Sequence, residues 1–225
     1  MSRWPEIWHW GDDPSLLDRA LDRGTILAIP TESSYGLAVD PRSATGVKSI
    51  FQFKDRAPDK PLPVVLANKE QLAILGGDPC DPAWAELAAL WPAPLTVIVP
   101  IPRPVPASVG NHSLAIRVPA HDRLRSLLRS LDRPLTATSA NPSGAEPVSE
   151  PMELRRLLDG WPSILVDDGR LLGGPVSTIV EPTADGYRIL RGGALGRQWL
   201  QDRLSRPVFS AATAEIPADD SAEAS

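Results

Sequence analysis

The sequence predicts an α/β fold built as one domain. Helix and strand patterns alternate through most of the 225 residues, which is typical of α/β architecture. Consecutive strands near the end of the chain break this alternation, so we expect a mixed rather than a purely parallel sheet. A chain of this length favours one large domain over two small ones and can bury a sizeable core.

Helix and strand signals alternate along the first half. Asp13 and Pro14 precede the first amphipathic stretch as start signals, and Gly24 ends it. Ser43 is the predicted cap of the second helix. Short continuous apolar runs indicate buried strands. The predicted helices cover residues 15–21, 44–53, 69–75 and 82–90. The predicted strands cover residues 25–29, 62–67 and 95–99.

The second half begins with a proline-rich connector over residues 100–106. Prolines there and elsewhere separate apolar runs, so they indicate strand ends and rigid loops. The predicted helices of this half cover residues 121–131 and 151–158. The predicted strands cover residues 114–118, 135–138, 164–166, 177–180 and 187–190.

The two ends of the chain differ in composition from the middle. Residues 1–12 form a tryptophan-rich segment, which we expect either to pack back on the domain or to mark a contact surface. The domain itself is predicted over residues 13–205. Residues 206–225 end in an acidic, alanine-rich and serine-rich tail that cannot bury enough apolar surface to order itself, so we expect it to be disordered.

Composition and charge exclude several classes of protein. The chain has 23 basic and 28 acidic residues and a net charge of −5, which argues against nucleic-acid binding by bulk charge. Its one cysteine excludes a disulfide framework and a zinc site with several thiolates. The three histidines show no metal-ligand spacing. We see no secretory signal and no membrane span, and therefore expect a cytoplasmic protein.

The loop over residues 30–37 reads Pro-Thr-Glu-Ser-Ser-Tyr-Gly-Leu and directly follows a predicted buried strand. Ligands of open α/β sheets bind at the carboxyl ends of strands. Hydroxyl, carboxylate and phenol groups at this position could hold a small polar ligand. Spacing alone, however, favours an ordinary polar turn with local side-chain caps.

Three cations, Lys54, Arg56 and Lys60, lie at the end of a predicted helix and the start of a strand. Converging guanidinium and ammonium groups suit a polyphosphate. The alternative is a solvated loop in which Asp55 and Asp59 neutralise these cations. The segment is not a Walker loop, because the glycine-lysine pattern of that motif is missing.

Further polar groups follow later strands. Arg117 lies near the end of an apolar strand, where it needs a carboxylate from the protein or from a ligand. Residues 138–144 place hydroxyl and amide groups after another strand, although they also form strong turn signals. Ser139 lacks the surroundings of a nucleophile. Arg191 ends a further short strand and has either a structural or a binding role.

Seven motifs follow one another along the chain. They are Pro-Thr-Glu-Ser-Ser-Tyr-Gly-Leu at 30–37, Lys-x-Arg-x-x-x-Lys-Pro-Leu at 54–62, Trp-Pro-x-Pro-Leu-Thr at 91–96, Arg-Val-Pro at 117–119, Ser-Ala-Asn-x-Ser-Gly at 139–144, Ser-Thr-Ile-Val at 177–180 and Arg-x-Gly at 191–193. Together they resemble the YrdC/TsaC family of threonylcarbamoyl-AMP synthases, over about residues 16–195. The chain resembles the short form of the family, without the extra C-terminal domain.

The resemblance implies a twisted α/β sheet around one concave cleft. It also implies a nucleotidyl transfer that forms threonylcarbamoyl-AMP and pyrophosphate from L-threonine, bicarbonate or CO2, and ATP. Mg²⁺ would accompany ATP, held mostly by phosphates and water. The product would pass to a threonylcarbamoyl transferase complex for the t6A modification of tRNA adenosine 37, and direct RNA contact is a further implication.

The resemblance also implies roles for individual residues. Val65 stands where some relatives carry a polar residue beside threonine. The implied catalytic residues are Lys54, Arg56 and Lys60. The implied ATP-binding residues are Arg56, Lys60, Ser113, Asn141, Ser149 and Arg191. The implied threonine-binding residues are Ser33, Tyr35, Val65, Arg117, Ser139 and Ser177.

Two other functions stay open from the sequence. One is a carbamoyl-adenylate synthase that uses carbamoyl phosphate, as in the related domain of hydrogenase maturation proteins. Those relatives carry acylphosphatase and zinc-finger modules that this chain lacks. The other is a non-catalytic module for double-stranded RNA, against which the acidic balance counts.

Overall fold

A computed structural model describes residues 4–57, 59–142 and 145–210 of the chain. The strands are β1 (Glu6–His9), β2 (Ile26–Pro30), β3 (Tyr35–Ala38), β4 (Val64–Val65), β5 (Leu95–Pro100), β6 (Ser113–Arg117), β7 (Leu135–Thr136), β8 (Thr138–Ser139), β9 (Ser163–Asp167), β10 (Thr178–Thr183), β11 (Gly186–Arg191) and β12 (Val208–Ser210). The α-helices are α1 (Ser15–Asp22), α2 (Ala44–Lys54), α3 (Ala85–Ala88), α4 (Asp122–Leu131), α5 (Pro151–Leu157) and α6 (Arg197–Gln201). Short 3₁₀ helices cover Lys69–Leu75 and Pro106–Ser108.

The strands form two mixed sheets. The first has the order β1-β9-β2-β3-β8 and the second the order β12-β11-β10-β5-β6-β4-β7. Both combine parallel and antiparallel pairs: β2 is parallel to β9 and antiparallel to β3, and β6 is parallel to β4 and antiparallel to β5. The predicted mixed α/β domain is confirmed, and its strands are divided between two sheets instead of forming one.

Strand β2 shows why a continuous apolar run predicts a buried strand. Its side chains alternate between two hydrophobic cores: Ile26 and Ala28 pack into one, and Leu27 and Ile29 pack into the other. Both faces of the first sheet are therefore covered here, and neither set of positions needs polar side chains.

Three strands lie where the sequence analysis predicts none. Strand β1 forms the edge of the first sheet within the tryptophan-rich segment 1–12, parallel to β9, and its Trp8 is buried. Strand β3 forms a hairpin with β2 at the end of the loop 30–37. Strand β12 pairs with β11. All three are three or four residues long, too short for a periodic signal.

Strand β12 also corrects the predicted boundary of the disordered tail. Residues 206–210 are described, and Val208 is buried opposite Tyr187 of β11. This apolar residue pairs with an existing strand, so the ordered domain continues past residue 205. Residues 211–225, the rest of the predicted tail, lie outside the described residues.

The segment from Leu135 to Ser139 connects the two sheets. Its first half, β7, pairs with β4 in the second sheet, and its second half, β8, pairs with β3 in the first. At the crossing, the Thr136 backbone N–H donates to Val39 O at 2.8 Å, and the Val39 N–H donates to Thr136 Oγ1 at 3.0 Å. These bonds satisfy buried polar groups at the place where sheet pairing is interrupted, and so fix the sheets relative to each other at this point.

No helix in the described part of the chain is both long and apolar enough to cross a membrane.

The crossing yields a prediction about stability. Replacing Thr136 with Val removes the acceptor of the buried Val39 N–H, so we expect a loss of about 1–3 kcal/mol in the free energy of unfolding. Urea denaturation measures this change. As a matched control, Thr183→Val removes a surface-hairpin hydroxyl that donates to Gly186 O, and we expect a change within about 0.5 kcal/mol. Equal effects of the two substitutions would contradict the assigned role of Thr136.

Candidate active site

Two adjoining cavities lie at the cleft between the sheets. The first, which we call the arginine cavity, has a volume of about 370 Å³ and is lined in part by Arg56, Arg117 and Arg191. None of its described lining residues is Asp or Glu. Its other lining residues are apolar or carry hydroxyl groups. Its hydroxyl residues include Thr31, Ser33, Thr96, Thr138, Ser139 and Ser177.

The second cavity, which we call the lysine cavity, has a volume of about 410 Å³. Lys54, Lys60 and Asn141 line it, and it shares Arg56, Thr138 and Ser139 with the arginine cavity. The cation segment after α2 therefore lies against the segment after β8. Sequence spacing alone does not show that these two segments are in contact, because they are far apart along the chain.

Lys54 is the last residue of α2 and is buried. Its Nζ donates to Ser139 O and Asn141 O, both at 2.6 Å, and to Asn141 Oδ1 at 3.0 Å. Burial, with a smaller contribution from the neighbouring Arg56, lowers the pKa of Lys54 to about 8. Lys54 therefore holds the turn after β8 in place, and its charge lies beside the lysine cavity.

Arg56 follows a sharp change in chain direction. Asp55 ends α2 with a left-handed φ of 47°. Arg56 then donates from Nε to Lys60 O at 3.1 Å and from Nη2 to Pro61 O at 2.9 Å. These acceptors are neutral carbonyl groups. They orient the guanidinium and, unlike a carboxylate, do not compensate its positive charge. Burial lowers the pKa of Arg56 from its usual value, against a smaller opposing effect of Asp59.

Arg117 lies at the end of β6 and meets the loop between β2 and β3. Its Nη1 donates to Glu32 Oε1 at 2.6 Å. The Arg117 side chain is 12% exposed, and burial lowers the pKa of its guanidinium while Glu32 opposes that effect. The predicted carboxylate partner of Arg117 is thus found within the protein, and the guanidinium still borders the arginine cavity.

Arg191, Ser177 and Thr96 form a hydrogen-bonded chain along one wall of the arginine cavity. Arg191 Nη2 donates to Ser177 O at 2.8 Å and to Ser177 Oγ at 3.2 Å. The hydroxyls of Ser177 and Thr96 are 2.8 Å apart. Burial lowers the pKa of Arg191, and the positive charge of Arg117 adds to the effect. These two arginines are therefore close enough to repel each other.

The turn between β2 and β3 is organised by Thr31. Its Oγ1 donates to Ser34 O at 2.7 Å, and the Thr31 N–H donates to the same carbonyl at 3.2 Å. Tyr35 begins β3 beyond this turn. Its phenol donates to Gly169 O at 2.8 Å and accepts from the Asp168 N–H at 3.1 Å, and burial raises its pKa to about 12. Tyr35 therefore fixes the loop after β9 to the site.

Most of the residues that the sequence analysis assigns to a site are found in the lining of one of the two cavities. Ser33, Tyr35, Val65, Ser139 and Ser177 line the arginine cavity with Arg117. Two do not: Ser113 lies at the start of β6 opposite Pro100, and Ser149 accepts through its carbonyl from the Leu171 N–H at 3.0 Å. Neither serine is among the described lining residues of these cavities.

The described residues include no group of three or more His, Cys, Asp and Glu side chains placed to hold a metal ion.

Comparison with known proteins identifies the family. The model of the Sua5, YciO and YrdC proteins, described as "Telomere recombination", matches residues 19–193. The chain belongs to this family.

Individual Sua5/YciO/YrdC relatives are similar over most of the chain. The threonylcarbamoyl-AMP synthase of Pyrococcus abyssi is 34% identical over 176 residues, which cover 76% of this chain and 51% of the relative. The chain thus spans about half the length of that protein. The threonylcarbamoyl-AMP synthase of Thiobacillus denitrificans is 35% identical over 67% of this chain and 80% of its own length.

A solved structure of the family also superposes on the fold. P. abyssi Sua5 complexed with L-threonine matches with a TM-score of 0.78 and 28% sequence identity, over 92% of this chain and 62% of that one. The fold described above is therefore shared, over most of this chain, with a family member that was solved in complex with L-threonine.

Three threonines of the site were not among the predicted site residues of this family member. Thr31, Thr96 and Thr138 line the arginine cavity, and all three are buried. Thr96 lies inside a predicted apolar strand and Thr138 ends another, and a buried hydroxyl in such a strand needs a hydrogen-bond partner. That need is the sequence signal that could have identified these two residues, and it does not extend to Thr31 in the loop 30–37.

The Tyr35 contacts give a prediction about local stability. In Tyr35→Phe the Asp168 N–H loses its acceptor, and we expect its hydrogen exchange to accelerate by roughly fivefold to tenfold, in line with a bond worth about 1 kcal/mol. Exchange measured by NMR provides an internal control, because the Leu165 amide within β9 is part of the sheet and should be unaffected. Unchanged exchange at Asp168 would show that the phenol does not hold this loop.

Proposed function

We propose that this protein is a threonylcarbamoyl-AMP synthase. The observation that carries the proposal is the pair of adjoining cavities that share Arg56, Thr138 and Ser139. One cavity suits an amino acid, because it combines a buried guanidinium with hydroxyl and apolar walls. The other suits phosphates, because two lysines and an arginine line it against one carboxylate, Asp55. The names of the relatives in P. abyssi and T. denitrificans support the same assignment.

The amino acid would bind in the arginine cavity. Arg117 is suited to its carboxylate, because a planar guanidinium can donate two parallel hydrogen bonds to a carboxylate. Ser33, Ser139 and Ser177 provide hydroxyl groups for its polar atoms, and Val65 contributes an apolar wall. The L-threonine bound to P. abyssi Sua5 supports threonine as this ligand.

The triphosphate would bind in the lysine cavity. Arg56 and Lys60 are placed to neutralise phosphate oxygens there, and Asn141 offers an amide beside them. Lys54 would act mainly through the turn that it holds, because its Nζ donates to Ser139 and Asn141. Arg191, at the arginine cavity, would serve the nucleotide, and Ser113 and Ser149 would do so only if the nucleotide extends past both cavities.

The proposed reaction has two balanced steps. The neutral amine of threonine adds to CO2, loses a proton and gives a carbamate. A carbamate oxygen then attacks the α-phosphorus of ATP, the bond to the β-phosphate oxygen breaks, and pyrophosphate leaves with that electron pair. Both reactants of the second step are anions, so fixed cations lower its barrier by neutralising developing charge, and correct orientation supplies much of the rest. No enzyme nucleophile is required.

Magnesium enters the proposal as part of the substrate Mg-ATP. The described residues offer no carboxylate cluster for a resident ion, and phosphates with water are the usual ligands of such an ion. Besides the ion, the cations of the lysine cavity would supply positive charge to the bound phosphates.

The product is a mixed anhydride, which is reactive toward nucleophiles and water. We place its use in a separate acyl transfer, the t6A modification of tRNA by a threonylcarbamoyl transferase complex. Direct contact with tRNA is not needed for the reaction in the cleft.

An assay of pyrophosphate release tests the activity. With bicarbonate and Mg-ATP, we expect release that depends on L-threonine and is weaker with L-serine, because one buried methyl group is worth about 1–3 kcal/mol of discrimination. Arg56→Ala should lower the rate at least roughly 100-fold, because a fixed cation in the site is worth several kcal/mol in the transition state. Arg103→Ala removes an exposed arginine outside both cavities and should leave the rate unchanged.

Two results would contradict the proposal. Release that depends on carbamoyl phosphate and not on an amino acid would identify a carbamoyl-adenylate synthase. A folded protein that releases no pyrophosphate but binds double-stranded RNA, with affinity falling steeply as salt rises, would identify an RNA-binding module.

The lowered pKa of Lys54 predicts a pH dependence of ATP binding. Below about pH 8 Lys54 is charged, and above it the neutral amine loses one donor and the positive charge. ATP affinity should therefore fall as the pH rises through about 8 or somewhat above, since bound phosphates favour the charged form. Calorimetry between pH 6.5 and 9.5 measures this change.

Two variants that replace a lysine with arginine serve as controls for this experiment. Lys54→Arg stays charged across the range and should lose the fall in affinity. Lys48→Arg, on an exposed position of the same helix, should retain it. An identical pH profile in all three proteins would show that Lys54 is not the titrating group.

A further inference from the structure

Glu32 and Arg117 form an ion pair between the two sheets. Glu32 lies in the turn between β2 and β3 of the first sheet, and Arg117 ends β6 of the second. We propose that Glu32 is a positioning residue: it fixes the Arg117 guanidinium so that the free edge of this group receives the substrate carboxylate. This inference rests on the proposed function, because it concerns how the same cavity binds an amino acid.

The two side chains are joined by one hydrogen bond and not by a bidentate pair. Glu32 Oε1 accepts from Arg117 Nη1 at 2.6 Å, whereas Glu32 Oε2 is buried and has no hydrogen-bond partner. No other acceptor among the described residues takes a hydrogen bond from the Arg117 guanidinium. A bidentate pair would occupy two donors of Arg117, but this pair leaves Nη2 and Nε for another acceptor.

The turn that carries Glu32 is itself fixed. Thr31 Oγ1 donates to Ser34 O at 2.7 Å, and the N–H groups of Ser33 and Ser34 both lie 3.4 Å from Thr31 Oγ1. The side chain of Glu32 is only 19% exposed. Glu32 is therefore held on a short, hydrogen-bonded turn, which limits where its carboxylate can place the guanidinium.

The charge of the cavity gives a second reason for this arrangement. Of the three arginines of the arginine cavity, Arg117 alone forms a salt bridge with a described carboxylate. Arg117 and Arg191 are also close enough for their charges to interact. Without Glu32, repulsion from Arg191 would favour other rotamers of Arg117. Glu32 offsets this repulsion and keeps the guanidinium at the cavity wall.

Calorimetric binding of two ligands to the wild type and to variants of Glu32, without ATP, tests the proposal. L-Threonine has the carboxylate that Arg117 would bind, and L-threoninamide lacks that charge. We expect Glu32→Ala to weaken threonine binding about tenfold, which corresponds to about 1.4 kcal/mol, and to change threoninamide binding less than about twofold. Glu32→Gln keeps an oxygen acceptor but loses the charge that offsets repulsion from Arg191, so its threonine affinity should fall between those of the wild type and Glu32→Ala.

Two further variants complete the experiment, one as a second test and one as a control. Glu32→Asp keeps the charge but shortens the reach by one methylene group, so it should lose threonine affinity nearly as Ala does, and it carries the test if Glu32→Ala does not fold. Glu181→Ala removes a surface pair with Arg188 and should leave both ligands unaffected. Thermal denaturation establishes that each variant is folded.

The outcomes separate this inference from the proposed function. Failure of the wild type to bind threonine would overturn both. Wild-type binding with no change in Glu32→Ala and Glu32→Asp, or with equal losses for threonine and threoninamide, would overturn only the role of Glu32. Tighter threonine binding in Glu32→Ala would also overturn it, because Glu32 would then be a competitor of the substrate carboxylate.

Discussion

The hydrogen bonds between Thr136 and Val39 are the constraint on which the site depends. They hold the short segment that leaves the second sheet as β7 and enters the first as β8. Thr138 and Ser139, the two residues of β8, line both cavities. The same crossing that fixes the two sheets to each other therefore also forms the wall that the cavities share.

The cations of the site are held mainly by carbonyl oxygens. Lys54 donates to the carbonyls of Ser139 and Asn141, Arg56 to those of Lys60 and Pro61, and Arg191 to that of Ser177. A carbonyl dipole orients a cation without cancelling its charge, whereas a carboxylate would neutralise it. These side chains therefore bring positive charge to the two cavities in a protein with a net charge of −5, an arrangement that suits anionic ligands. Arg117, with its partner Glu32, is the exception.

Much of the fold was predictable because its elements carry strong local signals. The helices α1, α2 and α4 have clear apolar periodicity or start signals, and their observed bounds agree with the predicted ones to within one or two residues. Strand β4 was predicted too long, since Pro61 and Pro63 limit ladder pairing around it. Strands β1, β3 and β12 are stabilised by neighbours distant in the sequence, which no local pattern reveals.

By itself, the sequence determined the α/β class, the polar segments at strand ends and, through the order of seven motifs, the family. These properties depend on local residue patterns and on motif order. Only the tertiary structure decided that Lys54 holds the turn at Asn141, that Glu32 is the partner of Arg117, and that Ser113 lies away from both cavities. Each of these facts depends on contacts between residues dozens of positions apart, which are set by the packing of two sheets and not by any local preference of the chain.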